Sequence, residues 1–170
     1  MIKLILIGFM GAGKTTTAEL LSQQLNVPML DTDVMITEET GQTPGEIFAT
    51  KGETAFRMLE KDIVQQALQQ EGILATGGGV IETTINRERL YDHPAPVYYL
   101  SGSFGQTMER IVDDMDRPIL RNSSLSEIGV LWRSRLPKYE TTANVTIQTD
   151  GKTPQGIVSE IMTHYEAHYG

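Results

Sequence analysis

No cysteine occurs in the 170 residues. Its absence excludes disulfides, thiolate metal centres and cysteine nucleophiles, and nothing in the chain requires an oxidising compartment. Basic residues are scarce: 14 Lys and Arg stand against 22 Asp and Glu, a net charge of -8. A general role in gripping nucleic acid or an anionic membrane is therefore not expected, and any anionic ligand has to meet a local concentration of basic residues. Long apolar runs are missing as well. The longest, Leu4 to Ala12, contains Gly8 and Gly11 and is too short to span a bilayer. It has the length of a signal-peptide core, but Gly13-Lys14-Thr15 follows directly, and cleavage there would destroy the most informative stretch of the sequence. The mature protein is expected to begin at Met1 and to be cytoplasmic. With 39% hydrophobic and 21% charged residues, the composition is that of one globular domain spanning 1–170.

What is present alternates in period. Lys3 to Ile7 is a short apolar run ending at a glycine, the pattern of a strand buried on both faces of a parallel sheet. Further short strands are expected at Val27–Leu30, Ile73–Ala75, Val97–Leu100 and Val145–Ile147. Helical spacing runs from Thr15 to Leu25, between Gly52 and Gly72, and from Glu127 to Tyr139 with an interruption near Pro137. Thr43-Pro44-Gly45-Glu46 and Ser103-Phe104-Gly105-Gln106 fit capping boxes, and Thr153-Pro154 opens the last helix in a similar way. Strands alternating with helices over the whole length imply a three-layer α/β domain with a parallel sheet.

Gly8-Phe9-Met10-Gly11-Ala12-Gly13-Lys14-Thr15 matches G-x-x-x-x-G-K-[ST] in full, between an expected strand and an expected helix. The glycines allow backbone N–H groups to surround a phosphate at the helix N-terminus. Lys14 adds a cation shared by the β- and γ-phosphates, and Thr15 offers a hydroxyl to Mg²⁺. The motifs that accompany this loop in other nucleotide enzymes are absent: no N-K-x-D or D-x-x-G of GTPases, no aliphatic run ending in an acid as in motor ATPases, no protein-kinase H-R-D or D-F-G. A small-molecule kinase becomes the leading class.

On the acceptor side, Asp31-Thr32-Asp33 places two carboxylates at a strand's end, where ligands gather in open α/β sheets, and in extended chain both point to one face. One suits Mg²⁺ through its water, the other a hydrogen bond and eventually a proton from an acceptor hydroxyl; a solvated turn or a helix cap by Asp33 is the bland alternative. Arg57 has Glu53 and Glu60 at helical spacing. This is either surface decoration or a guanidinium oriented to clamp a carboxylate. Gly77-Gly78-Gly79 follows the third strand and would let backbone amides approach the same ligand. Five of the eight arginines, Arg110, Arg117, Arg121, Arg133 and Arg135, fall within 26 residues, and the polar stretch from 112 to 124 among them reads as a mobile lid.

With these residues in place the chain resembles the shikimate kinases from end to end. The likeness rests on the phosphate loop, Leu30-Asp31-Thr32-Asp33, Ile47-Phe48, Gly52-Glu53, Phe56-Arg57, Glu60, Gly77-Gly78-Gly79, Arg117-Pro118, and Arg135 two residues before Pro137, with Tyr139 and Ala143 following. It implies a five-stranded parallel sheet in order 2-3-1-4-5, a substrate-binding segment around 32–60, a lid around 112–124, and ATP-dependent phosphorylation of the shikimate 3-hydroxyl by a monomer. By residue, it implies that Asp33 acts as base and binds the hydroxyls, and that Asp31 and Thr15 serve Mg²⁺. Arg57, Arg135, Gly78 and Gly79 would hold the substrate. Lys14 and Arg117 would stabilise phosphate charge. Gly11, Ala12, Gly13, Lys14, Thr15 and Thr16, with Arg110, Arg117, Lys152 and Pro154, would hold the nucleotide. Lys138 and Lys152 depart from the family pattern, where an apolar residue and an arginine are usual, and the lid is unusually acidic. A gluconate-type kinase shares the phosphate loop, and a binding module that has lost catalysis would share the fold.

Overall fold

The structure, a computed structural model, describes residues 1–111 and 124–170. All but the last residue of the expected lid, Arg117 and Arg121 included, lies outside that range. Five strands form one parallel sheet in the order β2 (Met29–Asp31), β3 (Gly72–Ala75), β1 (Ile2–Ile7), β4 (Val97–Ser101), β5 (Val145–Gln148). The expected order 2-3-1-4-5 is the observed one. The helices are α1 (Lys14–Leu25), α2 (Thr32–Thr40), α3 (Pro44–Ala67), α4 (Thr84–Asp92), α5 (Phe104–Ile111), α6 (Leu125–Thr142) and α7 (Pro154–His168), with a 3₁₀ turn at Val80–Glu82. None of the described helices is long and apolar enough to cross a membrane.

The near-continuous apolar run of β1 is explained by burial on both faces. Leu4 and Leu6 join Ile73, Tyr98 and Leu100 against Ala18 and Leu21 of α1 and Ile157 and Ile161 of α7. Ile5 and Ile7 turn the other way, with Leu74, Val97 and Tyr99, onto Val64 of α3, Leu90 of α4 and Ile128 and Tyr139 of α6. Alternate side chains of one strand thus serve two cores. A third, smaller cluster of Ile36, Ile47, Phe56 and Ile63 fastens α2 to α3.

Local signals set several helix starts. The side chains of Thr43, Ser103 and Thr153 each accept from the backbone amide three residues on, at 3.2, 3.2 and 3.1 Å. A complete reciprocal box forms at Ser124 with Glu127, so α6 starts before the expected Glu127. The helix start expected at Thr43-Pro44 and the helical segment expected from Gly52 are both present: α3 breaks at Gly52, whose φ of 84° is left-handed, so the two stretches meet there at a kink. Two expectations need correction. Pro137 does not interrupt α6, which runs on to Thr142. Its lost N–H is outweighed by tertiary anchoring just beyond: Tyr139 is fully buried, stacks on Tyr99 at 4.9 Å, and donates its hydroxyl to the Gly78 carbonyl. Finally, Asp31-Thr32-Asp33 is not extended. The strand stops at Asp31 and Thr32 already begins α2, because the Asp31 carboxylate accepts from the amides of Asp33 (2.9 Å) and Val34 (3.3 Å) and caps the helix. The cap is Asp31, not Asp33.

Candidate active site

Gly8 to Gly13 carry the chain from the end of β1 into α1. Gly13, at φ 88°, is the N-cap of α1, and no side chain caps the helix's first amides. The N–H groups of that turn are thus left to an anion, which is what a phosphate requires. Lys14 opens α1 and is only 8% exposed; its Nζ folds back along the loop and donates to the carbonyls of Gly8 (2.6 Å) and Phe9 (2.9 Å). Arg110 of α5 reaches the same loop, its Nη1 donating to the carbonyls of Ala12 (3.3 Å) and Gly11 (3.4 Å). Two cations from different elements therefore meet the loop in an otherwise acidic protein.

Thr15 and Asp31 face one another, the hydroxyl of Thr15 donating to Asp31 Oδ2 at 3.3 Å. The other oxygen of Asp31 is committed to capping α2. A hydroxyl and a fixed carboxylate oxygen, both hard donors beside the phosphate loop, fit Mg²⁺.

The acceptor cluster lies at the carboxyl ends of β2 and β3. Asp33, in the first turn of α2, rests its carboxylate against the backbone of Gly77; a Cβ there would lie 2.7 Å from Asp33 Oδ1. The Arg57 guanidinium lies against Gly79 in the same manner, and a Cβ at Gly79 would lie 2.7 Å from its Cζ. A Cβ at Gly78 would lie 3.1 Å from the amide nitrogen of Met10. None of the three glycines has positive φ. The triplet is glycine because a carboxylate, a loop and a guanidinium press on it, not because the turn needs unusual dihedrals. Gly79→Ala should therefore displace Arg57 and raise the KM of the acceptor substrate about tenfold with that of the nucleotide unchanged; an unchanged acceptor KM would show that Arg57 does not need this approach.

Arg57 is not surface decoration. Its Nη1 pairs with Glu60 at 3.0 Å and its Nε lies 3.5 Å from Glu53, with the guanidinium over Phe56 and Phe48. Arg135 is 4% exposed, lies over the Phe9 ring, and has its Nε 3.5 Å from Glu82. Arg133, two residues away and on the other side of α6, is exposed. Both arginines act electrostatically on both Glu60 and Glu82, so they share one neighbourhood. Each keeps a buried Nε with no hydrogen bond. Both donors lie 3.5 Å from a glutamate without bonding it, which leaves them for a closer anionic partner, and a planar carboxylate fits them.

Glu60 is 1% exposed, and burial pushes its carboxyl from 4.5 up to about 7, against the opposing pull of Arg57 and with a further upward push from Asp33. Folded Glu60 keeps its proton between pH 4.5 and about 7, where the unfolded chain has released it. Its contribution to stability is therefore full below pH 4.5 and lost as pH rises through 7. Glu60→Gln should remove that slope, so the Tm of the wild type minus that of the variant declines across this window. A flat difference would mean that Glu60 titrates normally.

Of the remaining expected residues, Thr16 is exposed on α1 and Pro154 is the first residue of α7. Lys152 pairs with Glu160 at 2.7 Å. Glu82 is a neighbour of the arginines that the sequence reading did not find; it reaches Lys138 from 56 residues away, a separation that leaves no local signal.

The sequence model of shikimate kinase matches residues 10–166. The chain belongs to the shikimate kinase family. A shikimate kinase of Rhodococcus jostii (strain RHA1) is 40% identical over 162 residues, covering 94% of this chain and 95% of that one. One from Lactococcus lactis subsp. lactis (strain IL1403) is 40% identical over 160 residues, covering 93% and 94%. Among solved structures, the shikimate kinase from Acinetobacter baumannii in complex with shikimate superposes with a TM-score of 0.92 at 32% identity, covering 98% of this chain and 93% of that one. The sheet order, the phosphate loop and its flanking helices are thus those of the P-loop kinase fold of this family.

Proposed function

We infer that Asp33, Arg57, Gly78, Gly79 and Arg135 form the acceptor half of a shikimate kinase site, and that Lys14, Thr15 and Asp31 serve its phosphate half. The enzyme transfers the γ-phosphoryl group of ATP to the 3-hydroxyl of shikimate, giving shikimate 3-phosphate and ADP, in aromatic amino acid biosynthesis. The observation that carries the assignment of residues is the pair of guanidinium groups, that of Arg135 buried and that of Arg57 half-buried, each with a buried Nε that makes no hydrogen bond, beside a carboxylate pressed onto the glycine triplet.

The two arginines grip the substrate carboxylate and so fix which hydroxyl faces Asp33. Asp33 orients that hydroxyl and takes its proton as the oxygen bonds to phosphorus. Lys14 and the uncapped amides of α1 meet the charge that collects on the phosphates as the bond to the leaving ADP breaks. Thr15 and, through water, Asp31 would hold Mg²⁺, which when bound would supply positive charge to the phosphates. Arg110, anchored on the Gly11 and Ala12 carbonyls, flanks the adenine with Pro154, and Lys152 stands on the same side. Arg117, beyond the described residues, is assigned to phosphate charge on its place in the sequence. Residues 32–60 serve as the substrate-binding segment and 112–124 as the lid of a single unit, 1–170. It acts as a cytoplasmic monomer on small molecules, without nucleic-acid or membrane partners.

A coupled assay of ADP release with shikimate, quinate and gluconate tests the reading. Turnover that depends on shikimate, with none on gluconate, is expected. Gluconate-driven turnover would overturn it, and shikimate binding without ADP release would leave only a binding module.

A further inference from the structure

The arginines of the acceptor cluster already have carboxyl neighbours. Arg57 and Arg135 share their surroundings with Glu60 and Glu82, and an incoming carboxylate has to compete with them. Glu82 is the direct competitor. Its Oε2 stands 3.5 Å from Arg135 Nε, beyond the ~2.7–3.2 Å of a good N–H···O bond. That Nε is buried and without a hydrogen bond, so a small shift of Glu82 would close the pair and occupy the donor. The other oxygen of Glu82, Oε1, is held by Lys138 Nζ at 2.7 Å. Lys138 sits one turn of α6 after Arg135, and its side chain is 38% exposed, whereas that of Arg135 is 5% exposed.

We propose that Lys138 holds Glu82 away from Arg135 and so leaves the guanidinium for the substrate carboxylate, which makes Lys138 a positioning residue for shikimate. This rests on the reading that Arg135 binds that carboxylate. The chemistry favours Lys138 as the restraint. An ammonium is a compact point charge that takes one oxygen at short range, while the arginine keeps its planar fork for a two-point grip. Burial of Glu82 would raise its carboxyl, yet the Lys138 hydrogen bond and the charges of Arg135, Lys138 and Arg57 hold it below its ordinary value, so it stays an anion and a standing rival. Without Lys138, the cation left paired to Glu82 among the described residues is Arg135.

Steady-state kinetics of four purified variants test this. Lys138→Met keeps a straight apolar stem in α6 and should raise the shikimate KM roughly five- to tenfold, with kcat and the ATP KM within about twofold of wild type. Glu82→Gln in that background removes the rival charge and should bring the shikimate KM back to within about twofold of wild type; a purely structural role for Lys138 would not be rescued this way. Glu82→Gln alone should stay within about twofold. A double variant as weak as Lys138→Met overturns the proposal, as does Lys138→Met with an unchanged KM. Arg135→Lys separates the two layers of the argument. If it raises the shikimate KM while Lys138→Met does not, only the role of Lys138 falls. If neither changes the KM, the carboxylate site itself is misassigned.

Discussion

Lys14→Met is expected to lose phosphoryl transfer at or beyond the ~10²- to 10³-fold that removal of a single transition-state donor costs, while the protein stays folded. The reasoning starts from where the ammonium lies. It is buried at the first residue of α1 and bent back over the loop onto the Gly8 and Phe9 carbonyls. Methionine reproduces the length and apolar stem, and α1 stays packed through Ala18 and Leu21, so the core gives no reason for collapse. What is lost is a cation at the place where charge accumulates as the phosphoryl group moves, together with the hydrogen bonds that shape the loop. ATP affinity should fall less than kcat, because the uncapped amides of α1 remain. Single-turnover phosphoryl transfer and a thermal melt on the same sample check both halves. Near-normal turnover would remove Lys14 from the phosphate site, and an unfolded variant would show that its bonds to the loop are structural.

How legible the site was in the sequence depends on how local each interaction is. The phosphate loop was readable because eight consecutive residues carry it, and in the structure Lys14 and Arg110 both donate to its carbonyls while Thr15 faces Asp31. The alternating strand and helix patterns implied a parallel α/β sheet, the resemblance implied its order, and both hold. Asp31 and Asp33 were identified as a pair, but their geometry was misread. A three-residue strand with a carboxylate at its end looks extended on paper, whereas the same carboxylate can cap two amides and start a helix. Pro137 shows the converse. Its local penalty was read correctly, and burial of Tyr139 overrode it. Arg133 and Arg135 looked alike in the sequence, yet two residues on a helix turn by roughly 200°, which sends one to solvent and the other under the site. Glu82 with Lys138 was out of reach, because the pair exists only once α6 has packed on the 3₁₀ turn.

Asp33→Asn tests the chemistry most sharply. The substitution keeps the size of the side chain, so the close contact with Gly77 survives, and it keeps some hydrogen bonding to a hydroxyl. It removes the negative charge that orients the hydroxyl and receives its proton. Phosphoryl transfer passes through a loose transition state that needs little activation of the nucleophile at first, so placement contributes as well as basicity. General-base assistance is typically ~10²- to 10⁴-fold. The expected result is a kcat loss in or above that range with little change in ATP binding, whereas Asp31→Asn should instead raise the Mg²⁺ requirement. The same variant has an independent signature. The charge of Asp33 is one of the influences that push Glu60 upward, so Asp33→Asn should lower the pH at which the Glu60-linked slope in stability ends, its start near 4.5 being set by the unfolded chain. That readout separates the outcomes. A shifted slope with wild-type kcat and a raised shikimate KM would mean that Asp33 faces the acceptor cluster and binds there without acting as base. An unshifted slope with wild-type kinetics would take Asp33 out of the site altogether.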